Sequence, residues 1–125
     1  MLGPSKLVTF VLTARPGEAR RFYEEVLGFR FVAEDDFAIV FEMNGTTLRL
    51  TKMEQVEPAP HTILGLDADD IARGMSWLEG RGVRFERYEG MGQDERGVWS
   101  AGPVKVAWFK DPDGNLLSIS QGAAV

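Results

Sequence analysis

The order of predicted strands and helices along this chain repeats once, and no other feature constrains its fold as strongly. Runs of β-branched and aromatic residues predict strands, whereas apolar residues at helical spacing between Pro16 and Gly28 predict a helix. The first half therefore has the order strand, helix and three strands, at residues 7–13, 14–27, 29–34, 37–43 and 46–52. After a polar linker at residues 54–60, the second half repeats this order, with strands at residues 61–66, 83–87, 104–110 and 116–120.

The turns of the two halves also match. Residues 27–31 correspond to residues 81–85, and the hairpin turn Asn44-Gly45 corresponds to Asp113-Gly114. The second half carries about 15 extra residues, which fall in residues 88–103. Similarity at a long period is the mark of a duplicated supersecondary unit. We therefore predict an α+β fold of two tandem βαβββ units, whose curved mixed sheets enclose a central cavity, with one helix on the outer face of each. The units cover about residues 6–53 and 61–121 of a single domain at residues 1–125.

Alternation along the last strand of each half predicts which side chains face the helices. We expect the helices to contact the apolar rows, which contain Leu48, Leu50, Leu117 and Ile119. The opposite rows contain Arg49 and Ser118 and would face the cavity. A charged arginine in a dry core is costly, so an inward Arg49 implies water, a ligand or a carboxylate beside it. The other interpretation, which the pattern leaves equally open, places Arg49 on the solvent side.

Composition excludes several classes of protein. Aliphatic and aromatic residues make up 44% of the 125 residues, which is enough for one core, and without cysteine no disulfide or thiolate metal site is possible. The first residues lack a secretory pattern and no apolar run approaches the roughly 18 residues of a membrane span, so we expect a cytoplasmic protein. A net charge of −5 without a basic stripe argues against nucleic acid as a partner. That charge either attracts a cationic ligand or simply confers solubility.

Two segments at matching places in the two halves carry a family resemblance. Residues 21–29 (RFYEEVLGF) are similar to the helix-and-turn signature of the vicinal oxygen chelate superfamily, which includes glyoxalase I, the bleomycin-resistance proteins and the extradiol dioxygenases. Residues 106–115 (VAWFKDPDGN) resemble the signature before the last strand of that superfamily. The resemblance covers essentially the whole chain. It implies a homodimer, with pockets formed within one chain or shared between two.

The resemblance also implies where a divalent metal would bind. Enzymes of the family hold the metal with four inward side chains, usually histidine on the first strand and glutamate on the last strand of each half. Those positions correspond here to Val8, Arg49, His61 and Ser118. His61 is an ordinary metal ligand, whereas Val8 has no donor atom, Arg49 is a cation and Ser118 is a weak ligand. We therefore expect no metal, no other cofactor and no catalytic residues of the family's metal-dependent type.

Six residues are candidates for contact with a small molecule: Phe10, Arg49, His61, Trp99, Trp108 and Ser118. His61, the only histidine, is either a ligand-facing donor or a partly solvated residue at a strand start. Trp108 either stacks on a ligand or fills the core, and the extra segment at residues 88–103 would act as a lid in which Trp99 contacts a ligand or a second subunit.

Three functions are compatible with these residues. The favoured interpretation is a metal-independent protein that binds a small aromatic or amphipathic molecule, in a sequestration or resistance role like that of the bleomycin-resistance branch. The alternative is a metal-dependent lyase or dioxygenase with an unorthodox site, in which Asp94, Glu95 or a partner subunit supplements His61. The third is a structural dimerisation or regulatory domain with a collapsed cavity. No nucleophile–base, P-loop or dinucleotide-binding motif suggests another chemistry.

Overall fold

The structure, a computed structural model, describes residues 1–124. The chain forms two compact units, Met1–Glu57 and Pro58–Val125, and the boundary between them falls inside the predicted linker. Each unit is described by itself below. Within the described residues, neither helix has the length and apolar character needed to cross a lipid bilayer.

The first unit is a βαβββ unit. Its elements are β1 (Val8–Thr13), α1 (Pro16–Arg21), which continues as a π-helical turn (Phe22–Val26), β2 (Arg30–Glu34), β3 (Ala38–Met43) and β4 (Thr46–Lys52). Sheet 1 has the strand order β1-β4-β3-β2, in which β1 runs parallel to β4 and the other pairs are antiparallel. The β3–β4 hairpin turns through Asn44 and Gly45, both at positive φ, as the two-residue turn signal predicts.

The second unit repeats this topology. Its elements are β5 (Leu64–Asp67), α2 (Ile71–Glu79), β6 (Trp99–Ala101), β7 (Val104–Lys110) and β8 (Leu116–Gln121). Sheet 2 has the order β5-β8-β7-β6, with β5 parallel to β8. Asp70 caps α2, since its carboxylate accepts a hydrogen bond from the Arg73 backbone N–H at 3.2 Å. The predicted fold class, two tandem βαβββ units with mixed sheets, is confirmed.

One predicted strand of the second unit is wrong. Residues 83–87 are not a strand, and one backbone bond ties them to β7, from the Glu86 N–H to the Trp108 carbonyl oxygen at 2.7 Å. The strand at this edge is instead β6, which pairs with residues 104–106 of β7. The two-residue turn Gly102-Pro103 closes a tight hairpin between these strands, so they pair at little cost in chain entropy. Residues 83–87 lie farther along the same edge, beside Trp108, without forming a ladder.

Each unit buries the predicted apolar rows on the helix side of its sheet. In the first unit, Leu48 and Leu50 are buried, and the neighbouring Phe41 contacts the ring of Tyr23, with centroids 6.1 Å apart. In the second unit, Leu117 and Ile119 are buried, and Ile119 lies against Gly74 of α2. The rows that contain Arg49 and Ser118 therefore lie on the opposite faces.

Candidate functional site

The face of each sheet away from its helix carries the predicted candidates on the strands. We call these the open face of sheet 1 and the open face of sheet 2. Strand alternation places on the first face Val8, Phe10, Leu12, Ala38, Val40, Glu42, Thr47, Arg49 and Thr51. It places on the second face Gly65, Trp99, Val106, Trp108, Ser118 and Ser120.

Arg49 occupies the middle of the open face of sheet 1. It lies between Phe10 of β1 and Val40 of β3 in the strand register. The side chain is half-buried, and among the described residues no carboxylate forms an ion pair with it. Its charge does help lower the pKa of Asp35, after the larger effect of two backbone N–H groups that bond that carboxylate. Phe10 beside it is 64% exposed.

Three aromatic side chains meet at the open face of sheet 2, and we call Tyr88, Trp99 and Trp108 the aromatic cluster. The rings of Tyr88 and Trp108 pack edge to face with centroids 5.8 Å apart, and those of Trp99 and Trp108 lie 6.5 Å apart. The Trp108 Nε1–H donates a hydrogen bond to Thr62 Oγ1 at 3.1 Å. All three aromatic side chains keep part of their surface exposed. The burial that accompanies this packing raises the pKa of the Tyr88 hydroxyl, as does the nearby Glu86 carboxylate.

The remaining two candidates lie in different surroundings. Ser118 is 7% exposed and lies between Trp108 and Gly65 in the strand register. Gly65 leaves room for it, because a Cβ at that position would come within 3.0 Å of Ser118 Oγ. His61 is exposed and lies in a bend before β5, where its Nδ1 is 3.2 Å from the Thr62 carbonyl oxygen.

The placement of His61 corrects the sequence analysis, which put it on the first strand of the second half. Arg49 faces Phe10 in one ladder and its counterpart Ser118 faces Gly65 in the other, so Ile63 is the register equivalent of Val8. The predicted pairing of Val8 with His61 is therefore displaced by two residues. The bend before β5 follows Pro60, a residue that cannot donate a ladder hydrogen bond and so tends to lie outside strands.

The residues at the family's metal positions do not fit a divalent cation. Val8 offers no donor atom, and Arg49 on the same face carries a positive charge. In the second unit, His61 stands outside the strand and Ser118 supplies a hydroxyl. Across residues 1–124, no three histidine, aspartate or glutamate side chains come close enough together to hold a metal ion.

The extra segment at residues 88–103 is tied down by hydrogen bonds within the second unit. The Gln93 side chain accepts from the Tyr88 backbone N–H at 2.6 Å and donates to the carbonyl oxygens of Glu86 and Gly97. The Arg96 guanidinium forms an ion pair with Glu79 of α2. The segment then enters β6, so Trp99 lies on a strand and not in a loop. These bonds fix the path of the chain toward the aromatic cluster.

The Asp94 carboxylate is engaged in hydrogen bonds within this segment. Its carboxylate accepts hydrogen bonds from the backbone N–H groups of Arg96 and Val98, both at 2.9 Å. Backbone hydrogen bonds, with that from Val98 the largest, lower the pKa of Asp94 below its ordinary 3.8.

A depressed folded-state pKa means that ionised Asp94 stabilises the fold above its ordinary pKa of 3.8 and loses that effect as the pH falls through the lower folded value. We therefore expect Asp94→Ala to lower the melting temperature at neutral pH and to bring it closer to the parent's at the lowest pH. Melting curves of both proteins across the acid range test this. A difference in melting temperature that stays constant down to the lowest pH would contradict it.

The exposed Asp69 provides the matched control, since no side-chain hydrogen bond or ion pair involving it is found in the described part of the chain. Asp69→Ala should change the melting temperature of the parent little.

Comparison with known proteins agrees with the fold. The model of the Glyoxalase/Bleomycin resistance protein/Dioxygenase superfamily matches residues 7–119. No curated protein sequence matches the chain. Among solved structures, the antibiotic binding protein TnmS3 from Streptomyces sp. CB03234 has a TM-score of 0.72 at 23% identity, over 97% of this chain and 98% of that one.

Two further structures are similar to the same degree. Lactoylglutathione lyase from Agrobacterium tumefaciens has a TM-score of 0.72 at 17% identity, over 96% of each chain. A superfamily member from Sphaerobacter thermophilus DSM 20745 has a TM-score of 0.72 at 20% identity, over 97% of this chain and 99% of that one. At these identities the likeness concerns the fold, which is shared by a binding protein and by a lyase. Because the family model spans nearly the whole chain, the protein belongs to the Glyoxalase/Bleomycin resistance protein/Dioxygenase superfamily.

Proposed function

We propose that this protein binds a small aromatic or amphipathic molecule without a metal ion, in a sequestration or resistance role. The observation that carries the proposal is the aromatic cluster on the open face of sheet 2, in which the Tyr88 and Trp99 rings both pack against Trp108 and all three side chains remain partly exposed. Ligand sites are largely apolar surfaces with a few polar groups that orient the ligand.

The hydrogen bonding of the cluster is compatible with a ligand ring stacked on it. Because Thr62 already satisfies the Trp108 indole N–H, a ring stacked on Trp108 leaves no polar group unpaired. The Trp99 side chain is held at the sheet edge by the pairing of β6 with β7. Preorganised aromatic side chains bind flat molecules at a small entropic cost.

The chemistry at the family's metal positions supports binding rather than metal-dependent turnover. Val8 and Arg49 supply no metal-binding atom to the first unit, and His61 lies outside β5. TnmS3, which has a similar fold, is an antibiotic binding protein, and this agrees with a binding role for the present chain.

We propose further that the protein works as a cytoplasmic homodimer, as the family resemblance implies. Light scattering measures its oligomeric state.

The test uses tryptophan fluorescence in a protein that reports from the cluster alone. Trp77 lies on α2, where the Arg81 guanidinium stacks on it, so Trp77→Phe removes the tryptophan that is not in the cluster. We expect N-phenylnaphthylamine, a neutral aromatic amine, and compounds from a screen of aromatic molecules to quench the remaining emission and raise the melting temperature. Binding should be equal with EDTA and with added Ni²⁺, Zn²⁺, Mn²⁺ or anaerobic Fe²⁺.

Two results would contradict the proposal. If no compound in the screen changed the emission or the melting temperature, the protein would not be a small-molecule binder of this kind. If the protein took up close to one equivalent of metal and bound ligands only in its presence, the metal-dependent lyase or dioxygenase would be the better interpretation.

A further inference from the structure

We infer that the open face of sheet 1 binds an aromatic anion, with Arg49 contacting the negative group and Phe10 contacting the ring. The ligand class is a carboxylate, sulfonate or phenolate attached to an aromatic ring. The inference rests on the proposed function, because it assigns a chemical class to molecules that bind the open faces without metal.

Arg49 is the cation of this face that lacks a partner. Arg49 as a residue is half-buried, yet no ion pair or side-chain hydrogen bond engages its guanidinium within residues 1–124. Withdrawing a charged group from water without a partner costs free energy, and a bound anion would offset that cost. An arginine also offers a planar fork of N–H donors that matches the oxygens of a carboxylate or sulfonate.

The surroundings of Arg49 suit a ring rather than a free inorganic anion. The exposed fractions along β1 are 44% for Val8, 64% for Phe10 and 41% for Leu12, so the strand presents an uncovered apolar row. Val40 of β3 continues this apolar surface on the other side of Arg49. One cation inside an apolar surface is complementary to a molecule that joins a ring to one negative group.

The acidic groups near this face already have partners of their own. The carboxylate of Glu42 accepts from Arg30 Nε at 3.2 Å and from the Gly45 backbone N–H at 2.7 Å. The Asp35 carboxylate accepts from the backbone N–H groups of Phe37 and Ala38. Because neither carboxylate forms an ion pair with Arg49, its guanidinium stays available to a ligand.

The experiment compares two dyes that differ by one negative group. Anilinonaphthalenesulfonate carries a sulfonate, and N-phenylnaphthylamine has the same rings without it. Both dyes are titrated into the full chain and into Arg49→Gln, Arg49→Lys, Phe10→Ser and Arg21→Gln, and near-UV circular dichroism verifies the fold of each variant. Arg21 is the matched control, since it is an exposed arginine of α1 on the helix side of the unit.

We expect Arg49→Gln to weaken binding of the sulfonate dye about tenfold and to leave binding of the neutral dye unchanged. Arg49→Lys should retain part of the affinity, because it keeps the charge and loses the fork. Phe10→Ser should weaken binding of the sulfonate dye, and Arg21→Gln should leave the affinity for both dyes unchanged. Added salt should weaken binding of the sulfonate dye to the parent more than to Arg49→Gln.

Unchanged affinity of the sulfonate dye in Arg49→Gln would overturn the inference, and so would an equal loss for both dyes. The neutral dye keeps the two proposals apart. If it binds while the sulfonate dye is insensitive to Arg49, the inference fails and the proposed function stands. If neither dye binds and the aromatic screen is also negative, both fail.

Discussion

Replacing Asp111 with alanine is expected to lower the free energy of unfolding by about 3 kcal/mol, the largest loss of stability that we predict for a polar side chain of this protein. Asp111 is 5% exposed, and its carboxylate accepts hydrogen bonds from the backbone N–H groups of Asp113 and Asn115 and from the Asn115 side chain, each at 2.9 Å. Alanine removes the acceptor of all three hydrogen bonds, two of which come from the buried Asn115. Each buried unsatisfied group costs on the order of 1 kcal/mol or more.

Urea unfolding followed by circular dichroism measures this loss. Asp69→Ala is the control, because it removes an exposed aspartate from the same unit and should change the midpoint little. Asp111→Asn is a more conservative substitution that tests the same hydrogen bonds. The amide of the introduced asparagine would lie beside the Asn115 side-chain amide and could replace at most part of the hydrogen bonding of the carboxylate. A parent-like midpoint for Asp111→Ala would show that the turn between β7 and β8 does not depend on this carboxylate.

The residues that revealed the family from sequence build the fold rather than the site. Tyr23 of the first signature is fully buried against Phe29 and Phe41, and its carbonyl oxygen accepts from the Phe29 N–H at 2.9 Å. Asp111 and Asn115 of the second signature are the buried first and last residues of the turn described above. Such residues are required by packing and hydrogen bonding whatever the protein binds, which is why they identify a fold and leave function open.

Local patterns predicted seven of the eight strands in place because each carries its own signal. Alternation marked Leu48 and Leu50 as buried, and the turn Asn44-Gly45 marked the β3–β4 hairpin. The exception, residues 83–87, has strand-like residues but lies beside β7 at Glu86 without forming a ladder. Whether a segment pairs along its whole length depends on the rest of the sheet, and a local pattern does not contain that information.

The candidate site was predictable to the extent that it lies on strands. Arg49 and Ser118 lie on the rows opposite the helices, as alternation along their strands predicted. Thr62 was missed, because its role comes from a hydrogen bond to Trp108 across 46 residues of sequence. Tyr88 was not among the six candidates, because its contact with Trp108 depends on the path of residues 83–88 beside β7. Contacts between segments distant in sequence leave no periodic signal.

Within the aromatic cluster, Trp99→Leu is expected to weaken binding of N-phenylnaphthylamine about 30-fold, the largest change in affinity that we predict. The loss follows from removing one of the two indole rings on which, in the proposed function, the dye stacks. The substitution should leave the fold intact, because Trp99 lies at the margin of the cluster. Its ring centroid is 6.5 Å from that of Trp108. The contact of Trp108 with Tyr88 and its hydrogen bond to Thr62 do not involve Trp99.

Trp77→Leu is the matched control, because it removes an indole of the same size that is 51% exposed on α2. Its affinity for the dye should equal that of the parent, and melting curves should show both variants folded at the temperature of the titration. Fluorescence of the dye, measured in each variant, gives the two dissociation constants. If Trp99→Leu bound the dye as tightly as Trp77→Leu does, the aromatic cluster would be a packing feature of sheet 2, and the binding surface would have to be sought on the other open face.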